Sequence, residues 1–221
     1  MKSMFPIPSP SDSKTHWRQW AKGFRATEDV ERLSSELLQT FSTLPCLSRA
    51  SKTDHLLLYA PLPDEFDPTP LLNTFLGTCY LPRITDYKKR RMQFHQVTPN
   101  TPLVTHPTLH LKEPPITAPV FSVDSFFSQE TSHMVLLIPA LATDHQGHRL
   151  GYGGGFYDKF LDDLYAQTVR SDQQLLNRMT TACWMSDNRH VKQLPTEPTD
   201  RPVQWVITPI QSIQIVQTIS P

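Results

Sequence analysis

Residues Met134–Asp158 read MVLLIPALATDHQGHRLGYGGGFYD. The run Met134–Ile138 is unbroken apolar sequence stopped by Pro139, the pattern of a strand covered on both faces. A polar loop follows, then the glycine-rich Gly151–Gly155, then Phe156–Ala166, which reads as a helix. Five of the chain's seven glycines fall between Gly147 and Gly155, so backbone freedom is concentrated where the chain leaves the strand. Strand, glycine loop and helix in that order is how open α/β sheets build ligand sites, at the carboxyl ends of their strands.

Working outward, His55–Ala60 is a second apolar run, closed by Pro61 and Pro63, and suits a buried parallel strand. Further strands are predicted at Thr78–Leu81 (ending before Pro82), Met92–Val97, Thr181–Met185 and Val203–Thr208, the last strand. Helices are predicted from Lys14 to Phe24 with Ser13 or Asp12 as N-cap, over Glu28–Phe41 and over Leu71–Leu76. In the second of these, Val30, Leu33, Leu37, Leu38 and Phe41 share one face. Pro99–Pro119 reads as loop with a short strand around Leu109. Alternating strands and helices imply a three-layer α/β/α fold with a mostly parallel open sheet. Residues 13–221 form one domain on this reading, after a flexible tail over 1–12.

Composition excludes several classes. Among 221 residues, Lys plus Arg and Asp plus Glu each number 21, which leaves no net field to hold a nucleic acid. The longest near-apolar run, Met134–Ala142, is well short of the ~18 residues of a membrane span. No secretory signal is legible over Met1–Ser13, so the expected compartment is the cytoplasm. Cys46, Cys79 and Cys183 form no C-x-x-C pair and read as reduced, buried thiols.

The physics of Arg149–Asp158 is that of anion binding. Glycines admit positive φ and leave no Cβ in the way, so successive N–H groups can turn around phosphate oxygens beside the positive end of a helix. Arg149 adds a charged contact, and Asp158 is a carboxylate of the kind that holds Mg²⁺ between phosphates. From pattern alone a tight structural turn also fits, and the motif is neither the dinucleotide fingerprint nor the Lys-Ser/Thr phosphate loop. Lys14 and Arg18 share a helix face by their spacing, and by pattern alone that face could be merely solvated.

The stretch Pro139–Leu161 resembles the signature of the 5-formyltetrahydrofolate cyclo-ligase (5,10-methenyltetrahydrofolate synthetase) family. Other pieces follow in the family's order: Lys14 and Arg18, Tyr59–Asp67, Leu81-Pro82-Arg83 with Met92 and Phe94, Lys112-Glu113-Pro114, and Leu194–Glu197 leading to Asp200. The resemblance implies ATP- and Mg²⁺-dependent cyclisation of 5-formyltetrahydrofolate, polyglutamylated or not, to 5,10-methenyltetrahydrofolate, by a monomer. It implies ATP contacts from Lys14, Arg18, Arg149, Leu150, Gly151, Tyr152, Gly153, Gly154, Gly155, Phe156 and Tyr157. It places folate against Arg18, Ala60, Glu65 and Tyr152–Phe156, with Glu65 reading the pterin ring. Arg18, Arg149 and Tyr157 are the implied catalytic groups, and Asp158 and Asp200 the implied Mg²⁺ ligands.

The chain departs from the family pattern at Arg189 (commonly Gln), Thr199 (commonly aromatic or His) and Lys159 (commonly Arg). The first two bear on the lining of the metal and folate pocket. They keep open a non-catalytic nucleotide- or folate-binding relative, and a different ATP-dependent ligase on the same scaffold remains a third reading. His106 with His110, and His145 with His148, are expected to face solvent rather than a metal. Trp17 and Trp20 are expected in the core rather than as a stacking platform.

Overall fold

The apolar runs become strands whose alternate residues feed two separate cores. Leu56 and Leu58, Val135 and Leu137 point into one core, which α-helical residues Leu33, Leu37 and Phe41 complete. Leu57, Leu136 and Ile138 point into the other, with Phe126, Leu161 and Leu164. Both faces of the sheet are therefore dry, which is why its strands read as unbroken hydrophobic runs.

The computed structural model describes residues 6–171 and 173–216. Helices α1 (Lys14–Arg25), α2 (Val30–Ser42) and α3 (Pro45–Ser48) lead into β1 (His55–Leu57), β2 (Thr78–Asp86) and β3 (Arg91–Val97). A two-stranded ribbon, β4 (Val104–Thr105) with β5 (Lys112–Glu113), precedes α4 (Val123–Ser128) and β6 (Met134–Leu137). Then come β7 (Ala142–Asp144), β8 (Arg149–Leu150), α5 (Phe156–Ser171), β9 (Met179–Trp184), β10 (His190–Val191), β11 (Trp205–Ile207) and β12 (Ser212–Gln214). The main sheet has the order β12-β11-β9-β6-β1-β2-β3. It is parallel from β11 to β2 and antiparallel only at its two edges, so the fold is the three-layer α/β/α arrangement expected.

A second sheet, β10-β7-β8, carries α1. Trp17, Trp20, Ala21 and Phe24 bury one face of the helix against Leu141, Ala142, Leu150, Val191 and Leu194, so both tryptophans are core. Ser13 is the N-cap, accepting from the His16 N–H at 3.2 Å. Residues 1–5 of the segment read as a tail lie outside the described residues. Its end is tied down, since Pro8 is buried and the Trp17 indole donates to the Ser9 carbonyl at 2.9 Å.

Several elements differ from the sequence reading. Strand β2 does not stop at Pro82. The Tyr80 carbonyl accepts from Leu58 and the Ile84 N–H donates to Glu113, so the edge of β2 on which Pro82 lacks its N–H is one that β1 has already left. Leu71–Leu76 is not an α-helix: only its first three residues are helical, as the end of a 3₁₀ turn, Thr69–Asn73, held short by Pro68 and Pro70. Leu109 lies in the turn between β4 and β5 rather than in a strand. Val203–Thr208 supplies β11, but β12 follows it as the antiparallel edge. Cys79 and Cys183 are buried, with thiols pushed up to about 12 by desolvation, whereas Cys46 is only partly buried; all three are free.

Candidate active site

Successive connections from β1 run to β2 and β3 on one side, while β6, β9 and β11 lie on the other. The sheet's switch point therefore falls between β1 and β6, where ligand crevices open in α/β folds. Tyr59 and Ala60, just past β1, and Pro139, just past β6, line a cleft of about 810 Å³ at that place. Every sequence-predicted site residue lines the same cleft: Lys14, Arg18, Ala60, Glu65, Arg149–Asp158 and Asp200.

The helix α1 and the glycine loop meet across one wall. With Trp17, Ala21 and Phe24 anchored on the small sheet, Lys14 and Arg18 face the cleft. Arg18 Nε donates to the Gly151 carbonyl at 2.9 Å. Gly153 and Gly155 have φ of +98° and +68°, conformations that L-residues rarely adopt. A Cβ at Gly153 would stand 3.5 Å from the Arg18 guanidinium, and one at Gly155 would stand 3.0 Å from Arg90 Nη1. The loop feeds directly into α5, a 16-residue helix whose N-terminal turn carries Asp158.

Five charged groups at the rim pair with one another. Lys14 Nζ reaches Asp200 Oδ2 at 2.7 Å and Glu197 at 3.3 Å. Arg149 Nη2 donates to Asp158 Oδ1 at 2.5 Å, and its Nη1 to the Arg201 carbonyl. Asp158 and Asp200 thus face one cleft as carboxylates held by single cations. Two carboxylates together with phosphate oxygens make a donor set that suits Mg²⁺. Among the described residues no group of three or more His, Cys, Asp and Glu could hold a metal ion alone.

Across the cleft, Glu65 accepts from the Leu62 N–H at 2.8 Å and from the Tyr152 hydroxyl. The Tyr152 hydroxyl in turn accepts from Arg25, a buried residue that also holds Asp64. Desolvation raises the Glu65 carboxyl above the ordinary glutamate range, opposed by the hydrogen bond from Tyr152. Burial also raises the phenols of Tyr152 and Tyr157 well above the usual tyrosine value, so both are neutral hydrogen-bond donors near neutral pH.

Of the three departures, Thr199 lines the cleft and Lys159 pairs with Asp163 at 2.7 Å while also lining it. Arg189 does not line it. Its guanidinium is buried against Glu28, with Nε–Oε1 and Nη2–Oε2 at 3.0 and 2.8 Å, and donates to the Leu141 carbonyl. His148 is partnered rather than solvent-facing, 3.2 Å from the buried Asp144 carboxylate, whereas His145 and His110 are exposed.

The opposite wall is where sequence reasoning assigned no roles. It comprises Ile84, Tyr87, Arg90 and Met92 of the β2–β3 hairpin, with Leu111 and Lys112 of the ribbon. Glu113 locks ribbon to hairpin by accepting from the Ile84 N–H at 2.8 Å. The signal available was the basic run Lys88–Arg91 between two predicted strands, which does not by itself say which way the turn leans.

The profile of the 5-formyltetrahydrofolate cyclo-ligase family matches residues 15–209. The chain belongs to that family. It is 28% identical over 152 residues to the 5-formyltetrahydrofolate cyclo-ligase of Escherichia coli (strain K12), covering 66% of this chain and 72% of that protein. Over 83 residues, 36% of this chain and 35% of the other, it is 36% identical to the cyclo-ligase of Mycolicibacterium smegmatis. The solution structure of the 5,10-methenyltetrahydrofolate synthetase of Aquifex aeolicus superposes with a TM-score of 0.68 at 21% identity, covering 94% of this chain and 95% of the other. The synthetase of Mycoplasma pneumoniae gives 0.61 at 15% identity, covering 90% and 99%. These two cyclo-ligase-family structures share the fold.

Proposed function

We propose that this cleft closes 5-formyltetrahydrofolate to 5,10-methenyltetrahydrofolate at the expense of ATP, releasing ADP and phosphate. The observation that carries the reading is the convergence of a glycine loop, Lys14, Arg18, Arg149 and Glu65 on one cleft at the sheet's switch point. A formamide oxygen is a poor leaving group. Its attack on the γ-phosphorus makes a C–O–P linkage and expels ADP. The N10 lone pair then forms the new C–N bond at the activated carbon, the C–O bond breaks, and phosphate leaves with the N10 proton. Such transfers ask the protein for positioning and charge neutralisation rather than a side-chain nucleophile.

In this reading the loop N–H groups, Arg18 and Arg149 bind the polyphosphate, and Tyr157 donates a hydrogen bond beside it. Lys14 and Arg149 exchange their carboxylate partners for phosphate oxygens, leaving Asp200 and Asp158 as the residues that would hold Mg²⁺. Bound there, the ion would neutralise phosphate charge. Glu65 accepts from paired N–H groups of the pterin, with Ala60 and Tyr152–Phe156 against the ring system. Action as a monomer in the cytoplasm, on substrates with or without a polyglutamate tail, belongs to the same proposal. No helix among the described residues is long and apolar enough to cross a membrane.

The test is to incubate the protein with 5-formyltetrahydrofolate, ATP and Mg²⁺ and follow the near-ultraviolet band of the methenyl product. ATP-dependent growth of that band is the expected result. Binding of both ligands without product would defeat the proposal in favour of a non-catalytic relative, and ATP turnover without the band would point to a different ligase.

A further inference from the structure

The cleft contains two arginines with no carboxylate within ion-pair distance among the described residues, Arg18 and Arg90, whereas Arg149 has one and Lys14 has two. Both unpaired guanidiniums lie against the glycine loop, at its two positive-φ positions. Arg18 stands beside Gly153 and Arg90 beside Gly155. Arg18 comes from α1, and Arg90 from the tip of the β2–β3 hairpin on the opposite wall. Arg90 is held there by an uncommon backbone, φ +54°, in a region that a bulky residue enters only at a cost. The neighbouring Tyr87 ring leans on Phe156, with centroids 5.8 Å apart, which ties the hairpin tip to the start of α5.

We infer that Arg90 is a further phosphate-binding residue of this cleft, closing from the hairpin side the anion cradle that Arg18 and the loop N–H groups open from the other. Two guanidinium groups bracketing one glycine loop supply opposed, charge-assisted donors to an oxyanion seated on it. The inference rests on the reading of the cleft as a nucleotide site. It assigns Arg90 to the nucleotide phosphates rather than to the carboxylates of the folate.

The test is calorimetric titration of the full chain with MgATP and, separately, with 5-formyltetrahydrofolate, for the wild type, Arg90→Gly, Arg90→Lys and Lys88→Ala. Glycine suits φ +54°, so Arg90→Gly removes the guanidinium without adding strain, and its thermal midpoint confirms that it folds. The expected result is a loss of about tenfold or more in ATP affinity for Arg90→Gly, with a weaker dependence of that affinity on salt. Arg90→Lys should recover part of the loss, Lys88→Ala should bind ATP within about twofold of wild type, and folate affinity should be unchanged throughout. Wild-type ATP affinity and salt dependence in Arg90→Gly would overturn the inference and leave the proposed function standing. Loss of folate affinity with ATP binding intact would overturn it in favour of a carboxylate contact. A wild type that does not bind ATP would overturn the nucleotide reading itself, and the role of Arg90 with it.

Discussion

The rim of the cleft and the packed corner behind α1 are both held by ion pairs, and the two sets are built differently. At the rim, Lys14 meets Asp200 with side chains 21% and 18% exposed, and Asp158 is 37% exposed beside Arg149, whose own side chain is 5% exposed. Behind α1, Arg189 and Glu28 are 3% and 6% exposed and joined by two hydrogen bonds, with the guanidinium also over the Phe66 ring. Both rim pairs line the cleft and keep their carboxylates partly open to solvent, so a ligand that enters can exchange a partner for a phosphate or a metal ion. The pair behind α1 has no such access, and removing either member strands a buried charge. Access to solvent, rather than the pairing itself, separates a site from a strut.

The comparison breaks first at Asp158. Asp158→Asn keeps an oxygen for Arg149 but removes the charge that would face Mg²⁺. Turnover at fixed Mg²⁺ should fall by about 10²–10³-fold, with the thermal midpoint close to wild type. A variant of near-normal activity, or one whose main defect is in folding, would make the rim pair a strut. The converse variant is Glu28→Ala, which leaves Arg189 buried and unpaired. It should lose about 3 kcal/mol of stability, roughly 6–12 °C in thermal midpoint for a chain of this size, while KM for ATP and folate in the folded fraction stays near wild type. A strong rise in either KM with unchanged stability would return position 189 to the pocket, where the family pattern had suggested it belonged.

What could be read in the sequence follows the same division between local and long-range. Lys14 and Arg18 lie one helical turn apart, and Arg149, the glycines and Asp158 lie within ten residues, so local geometry alone brings each group together. Glu65 and Asp200 reach the cleft from distant segments, and only the family resemblance, not spacing, pointed to them. The β10-β7-β8 sheet is built from strands of two or three residues, pairing Thr143 with His190 across 47 positions, too short to carry a period of two. Helix α4 is six residues long, less than two turns of periodic signal. The wall formed by Ile84, Tyr87, Arg90 and Met92 depends on the lean of a hairpin, which tertiary contacts such as Glu113 with Ile84 decide.

Tyr152 is where strut and site meet, and it gives the smallest and sharpest of these effects. Its hydroxyl accepts from the buried Arg25 and donates to Glu65. Glu65 must be ionised to accept N–H groups from a pterin, and burial already raises its carboxyl while the Tyr152 hydrogen bond lowers it. In Tyr152→Phe the lowering contribution disappears and the burial remains. The carboxyl then takes up its proton at a higher pH, so kcat/KM for 5-formyltetrahydrofolate, which reports groups of the free enzyme, begins to fall at a higher pH on acidification. The acidic limb should move upward by less than about one unit, and Glu65→Gln should lack that limb while being weaker at every pH. A limb that stays in place would mean that Glu65 does not titrate in substrate binding. One that moves downward would mean that the phenol favours the neutral carboxyl, reversing the direction assigned to this hydrogen bond.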